Sequence, residues 1–404
     1  MLVDYGQLSL VQQVVERQGA VHAAGMVRYV RAECEIAPFD LGLLLVALYP
    51  LNQVVVEVGA QVFTGLEALT DAVARTLTAT MDEYADADRA AAEAVAALMQ
   101  ALGASAPPYR DPTANLPALG AAQGSAPSSY GEGEGNILSQ AADEGGDLRE
   151  YLEDRANRAG DRLSSITGSG SGVVERVDVS SYLVPPVGAT SEIEEMRWSC
   201  GVIIGGIDWV FEKIFGFSFI AEVIMKPFRG DWEAIDRASI AWGHLADANR
   251  EMAGNFSGLV DGTRFWEGEA GDAYRNAMAA LSAALLGLAT ACESASSMVG
   301  MVGTVSKLAA ATIGFAINQI SIKLLRIAAE AAIPVAGWIA AAAEIAVTVY
   351  QIVGILRMIY AVVDAIFDAI YDAVAAREAL VDVALIVEDL VAYYVRAGAK
   401  AVTA

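Results

Sequence analysis

The strongest constraint on the fold is a long block at 51–102 in which Val55, Val58, Val62, Leu66, Leu69, Val73 and Leu77 recur at threes and fours. That period puts one apolar stripe along a helical rod, and the stripe leaves water only if another helix covers it. A block at 8–33 has the same helix-compatible spacing, and Ala-Pro-Phe-Asp-Leu-Gly at 37–42 together with Pro50 separates the two. Proline stops a helix from running through this point, so residues 1–102 are expected to form an N-terminal helical hairpin.

Between 103 and 190 the character changes. Ala, Pro, Gly and Ser dominate 103–135, where Pro107, Pro108, Pro112, Pro117 and Pro127 forbid continuous helix. A charged stretch at 147–162 is compatible with one short solvated helix, after which 167–172 and Pro185-Pro186 return to linker composition. The Gly-Ser run at 168–172 has neither the preceding strand nor the following helix of a phosphate-binding loop. The whole of 103–190 is expected to be flexible linker.

Helical patterning resumes at 191. An apolar stretch at 198–217 is interrupted by Gly201, Gly205 and Gly206 and closed by Pro227. Asp231 is suited to cap the next helix, with Trp232, Ile235, Ala238, Trp242, Leu245, Met252, Phe256 and Leu259 on one face. A following arm from Glu269 presents Tyr274, Ala277, Leu281, Leu285, Leu288 and Cys292 at the same period. Two antiparallel helices joined by a turn at 260–268 fit this pattern and define a hairpin domain over 191–300. Residues 301–404 form a third, apolar unit. Lys307, Lys323, Arg326, Glu330, Glu344 and Arg357 interrupt 302–363, and its charge-free stretch at 331–343 falls short of the roughly 20 residues a spanning helix needs. A buried helical hairpin broken at 334–337 is expected, with membrane insertion as the alternative. The last arm, 361–395, sets Asp364, Asp368 and Asp372 against Ile366, Ile370 and Val374, an amphipathic helix with an acidic face. The fold class is all-α: helical hairpins and a bundle with a Pro/Gly/Ser-rich central linker.

A formal charge of −24 and a pI near 4.4 repel phosphate backbones, so nucleic acid is not an expected partner. His22, His244, Cys34, Cys200 and Cys292 lie far apart with no ligand spacing, so no metal and no cofactor is expected. Two histidines among scattered surface carboxylates supply no acid–base pair, and the chain is not expected to be an enzyme. The opening MLVDYGQLSL lacks the basic and apolar regions of a cleaved signal peptide, so export is expected to carry folded helices.

The turn after the first arm of the 191–300 hairpin reads Phe265-Trp266-Glu267-Gly268-Glu269-Ala270-Gly271-Asp272-Ala273-Tyr274. It resembles the turn of the WxG family, small helical hairpins secreted by type VII (ESX) systems, in which Trp-x-Gly is followed by an alanine-rich helix start and an aromatic residue. Pro227-Phe228-Arg229-Gly230-Asp231-Trp232 resembles the opening of a variant domain found ahead of actinobacterial polymorphic toxins. The likeness covers 225–300, and no recognisable toxin domain follows it. From the residues themselves, Gly268 permits a reversing backbone, Ala270 and Ala273 let the arms approach, and Trp266 closes the apolar end. A buried turn aromatic in an ordinary helical protein would read the same way.

Late in the N-terminal hairpin, Tyr84-Ala85-Asp86-Ala87-Asp88 matches the Tyr-x-x-x-Asp/Glu signal of ESX substrates. Residues four apart share a helix face, so Tyr84 and Asp88 can be offered together to a receptor. Tyr130/Glu134 and Tyr360/Asp364 match the same short pattern. The resemblance implies an exported scaffold, secreted or held at the cell surface, that binds the secretion machinery and a WxG-type helical partner or chaperone. A membrane-active protein using 302–363, or the front part of a toxin system, are the other readings. WxG proteins pair as antiparallel hairpins, and this chain holds both elements, so two arrangements are open: a fused pair docked as a four-helix bundle, or the 225–300 hairpin packed on the apolar C-terminal helices.

Overall fold

The computed structural model describes residues 3–102, 104–131, 172–187, 231–331 and 381. Of the described residues 73% are helical and 1% are strand, without a sheet, so the class is all-α. Helix α1 (Tyr5–Arg17) begins at Asp4, whose carboxylate accepts from the Gln7 amide at 3.0 Å and satisfies a donor that the first turn leaves unpaired. It passes through a π-turn (Gln18–Ala23) into α2 (Ala24–Glu33). At the π-turn the chain comes so close to the next helix that a Cβ on Gly19 would run into the Thr70 hydroxyl. A short α3 (Gly42–Leu45) and a 3-10 turn (Val46–Leu48) lead into α4 (Tyr49–Ala101). Pro50 stands in the first turn of α4, where a missing N–H costs nothing. Asn52 accepts from the Ile36 amide at one end of this hairpin and Tyr5 donates to Asp88 at the other, so α4 runs antiparallel to α1 and α2.

The second hairpin pairs α5 (Trp232–Gly262) with α6 (Glu269–Ala331). The Asp231 carboxylate caps α5, accepting from the Glu233 and Ala234 amides. Ile235, Trp242, Leu245, Met252, Phe256 and Leu259 on α5 meet Met278, Leu281, Leu285, Leu288, Cys292 and Ala295 on α6, all buried. Ser239 and Ser296 each donate a hydroxyl to the other's carbonyl at 2.8 Å, clasping the two helices. Residues 269–303 are long and apolar enough to cross a membrane by length and composition, and their buried face is the one laid on α5. Helix α6 continues unbroken through residue 301, so the domain boundary expected there falls inside a helix. Single glycines such as Gly300 and Gly303 cost a helix only about 1 kcal/mol each, which packing offsets. The expected helices at 147–162, 198–217 and 361–395, the break at 334–337 and most of the apolar stretch 302–363 lie outside the described residues.

The hairpins dock through α2 and α4 against α5. Trp242 is fully buried beside Gly59, where a Cβ would lie 3.0 Å from the indole Cη2 and 3.4 Å from Val30 Cγ2. Tyr29 on α2 donates to the Val184 carbonyl at 2.8 Å and sits 2.8 Å from His244 Nδ1 on α5.

Where it is described, the stretch expected to be flexible linker is fixed. Residues 104–131 and 172–187 run over the helices, mostly irregular with turns at 112–115 and 128–131 and a 3-10 turn at Val179–Tyr182, and meet in an isolated parallel bridge, Gly124 to Val177. Gln13 donates to the Pro117 carbonyl and accepts from the Leu119 amide, both at 2.8 Å. Asn255 of α5 accepts from the Arg176 and Val177 amides and donates to the Val177 carbonyl at 2.9 Å. Glu175, 2% exposed, takes Arg17 Nη1 at 2.7 Å, Gln18 Nε2 at 2.8 Å and His22 Nε2 at 2.7 Å. Proline and glycine exclude continuous helix here, but the irregular backbone they leave has free donors and acceptors that helix side chains satisfy.

Two outcomes follow. Gly59→Leu is expected to destabilise the chain by about 1–3 kcal/mol through overpacking against Trp242, whereas Gly254→Ala, where nothing lies within 4 Å of the new Cβ, is expected to be neutral or stabilising; urea denaturation compares them. Burial works to raise the Glu175 pKa, but the hydrogen bonds and charges of His22 and Arg17 outweigh it and hold the pKa below its ordinary 4.5. A carboxyl depressed in the folded state stabilises above its unfolded pKa, and that contribution is lost as pH falls through the folded value. Glu175→Gln is therefore expected to lose about 1.5–3 kcal/mol at pH 7, with the difference from the unaltered chain shrinking below pH 4.5 in denaturant melts.

Candidate functional site

Three elements converge at the end of the molecule where α1 begins, α4 passes Asp88 and α5 turns into α6. Helix α5 closes at Thr263, whose hydroxyl donates to the Leu259 carbonyl at 2.7 Å, and the Trp266 amide donates to the Thr263 carbonyl at 3.0 Å. Gly268 has φ +106°, a left-handed conformation that side chains resist, and its carbonyl accepts from the Asp272 amide as α6 starts. This turn aims Trp266 inward, where it is 3% exposed.

The close approach that makes the turn possible falls at Gly271. A Cβ there would collide with the Trp266 carbonyl oxygen. Ala270 and Ala273, expected to let the arms meet, are both exposed. The reason is phase: positions 271, 274 and 278 of α6 face inward, and 270 and 273 lie on the outer side. Tyr274 packs on the tryptophan with ring centroids 5.6 Å apart. Arg275 fastens the turn from below, donating to the Thr263 and Trp266 carbonyls at 2.8 Å each.

Trp266 reaches the first hairpin. Its indole Nε1 donates to the Tyr84 hydroxyl at 3.3 Å, a contact between residues 182 positions apart. One turn along α4, the Asp88 carboxylate accepts from the Tyr5 hydroxyl at 2.8 Å. Burial, and then the hydrogen bond to Asp88, push the Tyr5 phenol pKa up, so Tyr5 stays a donor. Tyr84 and Asp88, expected to share one helix face, are each held by a distant residue: Tyr84 is half-buried and bonded to Trp266, and Asp88 is exposed and bonded to Tyr5. An open groove of about 480 Å³ lies alongside, lined by Val3, Asp4, Tyr5, Gly6, Pro112 and Phe265.

Of the competing pairs, Tyr130 is half-buried and donates to Asp247 at 2.7 Å, while its ring stacks edge-on to Tyr182. Glu134, Tyr360 and Asp364 lie outside the described residues. Tyr5, Gly271 and Arg275 were not singled out from the sequence. Gly271 had a signal, a second glycine three residues after Gly268, but Tyr5 had none because its partner is 83 residues away.

Chemically the site is a set of fixed donors and acceptors around an indole. His22 and His244 are both buried and face Glu175 and Tyr29, away from it. Burial raises the pKa of both described thiols, Cys34 and Cys292, which makes them poor nucleophiles. Among the described residues no group of three or more His, Cys, Asp or Glu is arranged to hold a metal ion. Comparison with family models, with curated proteins and with solved structures found no match.

Trp266→Ala is expected to destabilise the chain by about 3–5 kcal/mol, as for a large buried aromatic. Trp266→Phe and Tyr84→Phe remove the donor and the acceptor of one hydrogen bond. In a double-mutant cycle read by thermal denaturation they are expected to couple by about 0.5–1.5 kcal/mol.

Proposed function

We propose that this chain is an exported, non-enzymatic helical scaffold recognised by a type VII (ESX) secretion system, in which a WxG-type hairpin and its Tyr-x-x-x-Asp-bearing partner hairpin are fused into one protein. The observation that carries this reading is the hydrogen bond from Trp266 Nε1 to the Tyr84 hydroxyl. The two motifs that resemble the family's turn and tail come from sequence positions far apart and meet at one end of the bundle, alongside Tyr5 and Asp88.

The physical economy of such a fusion supports it. Each hairpin alone leaves an apolar stripe in water, and docking Trp242 over Gly59 removes part of both. A separate WxG partner is then unnecessary for stability, and the composite end with its groove is what the export machinery would bind. The net charge of −24 favours a receptor surface with basic residues. Export would carry the folded bundle to the cell surface or beyond, and the activity there is binding through helix faces.

The test is export from a host carrying the cognate secretion ATPase. Tyr84→Phe and Asp88→Asn keep size and shape while removing a hydroxyl and a charge, and Trp266→Phe keeps an aromatic ring while removing the indole N–H, so helicity by circular dichroism is expected to be retained. Each is expected to reduce the protein in the culture filtrate to the level seen when the ATPase is inactivated. Undiminished export of all three, with helicity retained, would place the signal elsewhere.

A further inference from the structure

Residues 172–187 cross the joint between the hairpins like a strap. At one end Val173 is wedged, 3% exposed, between the two: its amide donates to Gln7 of α1 at 2.9 Å, and its Cγ2 lies 3.4 Å from where a Cβ on Gly262 of α5 would stand. Gly262 is the last residue of α5, just before the turn that delivers Trp266 to Tyr84. At the other end the Val184 carbonyl accepts from Tyr29 of α2.

Between these ends sits one buried carboxylate. Glu175 meets a receptor of three donors from consecutive turns of the first hairpin: Arg17 at the end of α1, and Gln18 and His22 in the π-turn. Gln18 also accepts from Asn255 Nδ2 of α5 at 3.2 Å, and Asn255 grips the strap backbone on either side of Val177. One polar chain, Glu175 to Gln18 to Asn255, therefore ties strap, first hairpin and second hairpin at a single buried point. The other charges around it are Asp178, 3.9 Å from His22 Nδ1, and Arg176, which turns outward to Asp261 at 3.9 Å.

Apolar contact is non-directional, so Trp242 over Gly59 brings the hairpins together without tying the strap to either of them. Hydrogen bonds to a buried charge are short-ranged and directional. We infer that Glu175 is a latch: it locks the strap across both hairpins and so holds the register at which Trp266 meets Tyr84. The biological consequence rests on the export reading above, while the latch itself is a statement about this chain alone.

Two measurements test it. A protease site placed in the full chain between 140 and 165 allows the covalent link to be cut after folding, and the halves are expected to stay together at neutral pH. Glu175→Ala is expected to weaken their association about a hundredfold or more, since it leaves the buried Gln18 and His22 without their carboxylate partner and opens the polar chain to Asn255. Association within threefold of the unaltered chain would overturn the proposal. Should Glu175→Ala fail to fold, the milder Glu175→Gln is measured in the uncut chain by hydrogen exchange. Faster exchange is expected at the Val173, Arg176 and Val177 amides and at the Trp266 indole together. Unchanged exchange at these amides, or a loosened strap with an unchanged Trp266, would each refute the latch. Neither readout involves secretion, so export of Glu175→Gln reports separately on the functional reading.

Discussion

Trp242 is buried because Gly59 leaves room for it, and the rest of the bundle depends on that contact. A hairpin of two helices always leaves one side of each stripe uncovered. Here a tryptophan of α5 fills the space over the bare backbone at Gly59 of α4, with Val30 of α2 closing the gap. Small-against-large packing of this kind fills the space between helices. It explains why α2 and α4 together receive α5, and why both hairpins belong to a single core.

The polar contacts reinforce the register that this packing sets. Asp231 N–H donates to the Asp40 carbonyl at one end, and Trp266 donates to Tyr84 at the other. Between them lie the Tyr29–Val184 bond and the cluster at Glu175. Each buried polar group would be a liability if its partner slipped by a turn, so the set penalises every alternative arrangement. The candidate recognition surface is a consequence of the same register, because its residues come from α1, α4 and the turn before α6.

The segments between the hairpins change how the chain is to be viewed. A flexible tether would leave two hairpins to find each other at an effective concentration set by its length. Segments that run along the helix surfaces, pair at Gly124 and Val177 and bury Glu175 make the connection part of the fold.

The sequence by itself determined the helical class, the stripe Val55 to Leu77, the Asp231 cap and the reversing glycine at 268, because each rests on neighbours within a few turns and on periods a single strand of text displays. It was silent or misleading where the deciding partner is far away in the chain. Ala270 and Ala273 looked like contact residues, yet the phase of α6 is set by Gly271 and Tyr274 against Trp266. Proline and glycine marked 103–190 as non-helical, but composition carries no trace of which carbonyls and amides Gln13 or Asn255 will capture. Tyr84 and Asp88 showed their shared face in the i, i+4 spacing; that they are bonded to Trp266 and Tyr5 only the tertiary structure decided. The physical reason is range: helix propensity, capping and turn chemistry act over a few residues, whereas hydrogen bonds and close packing between segments exist only after folding has brought distant residues together.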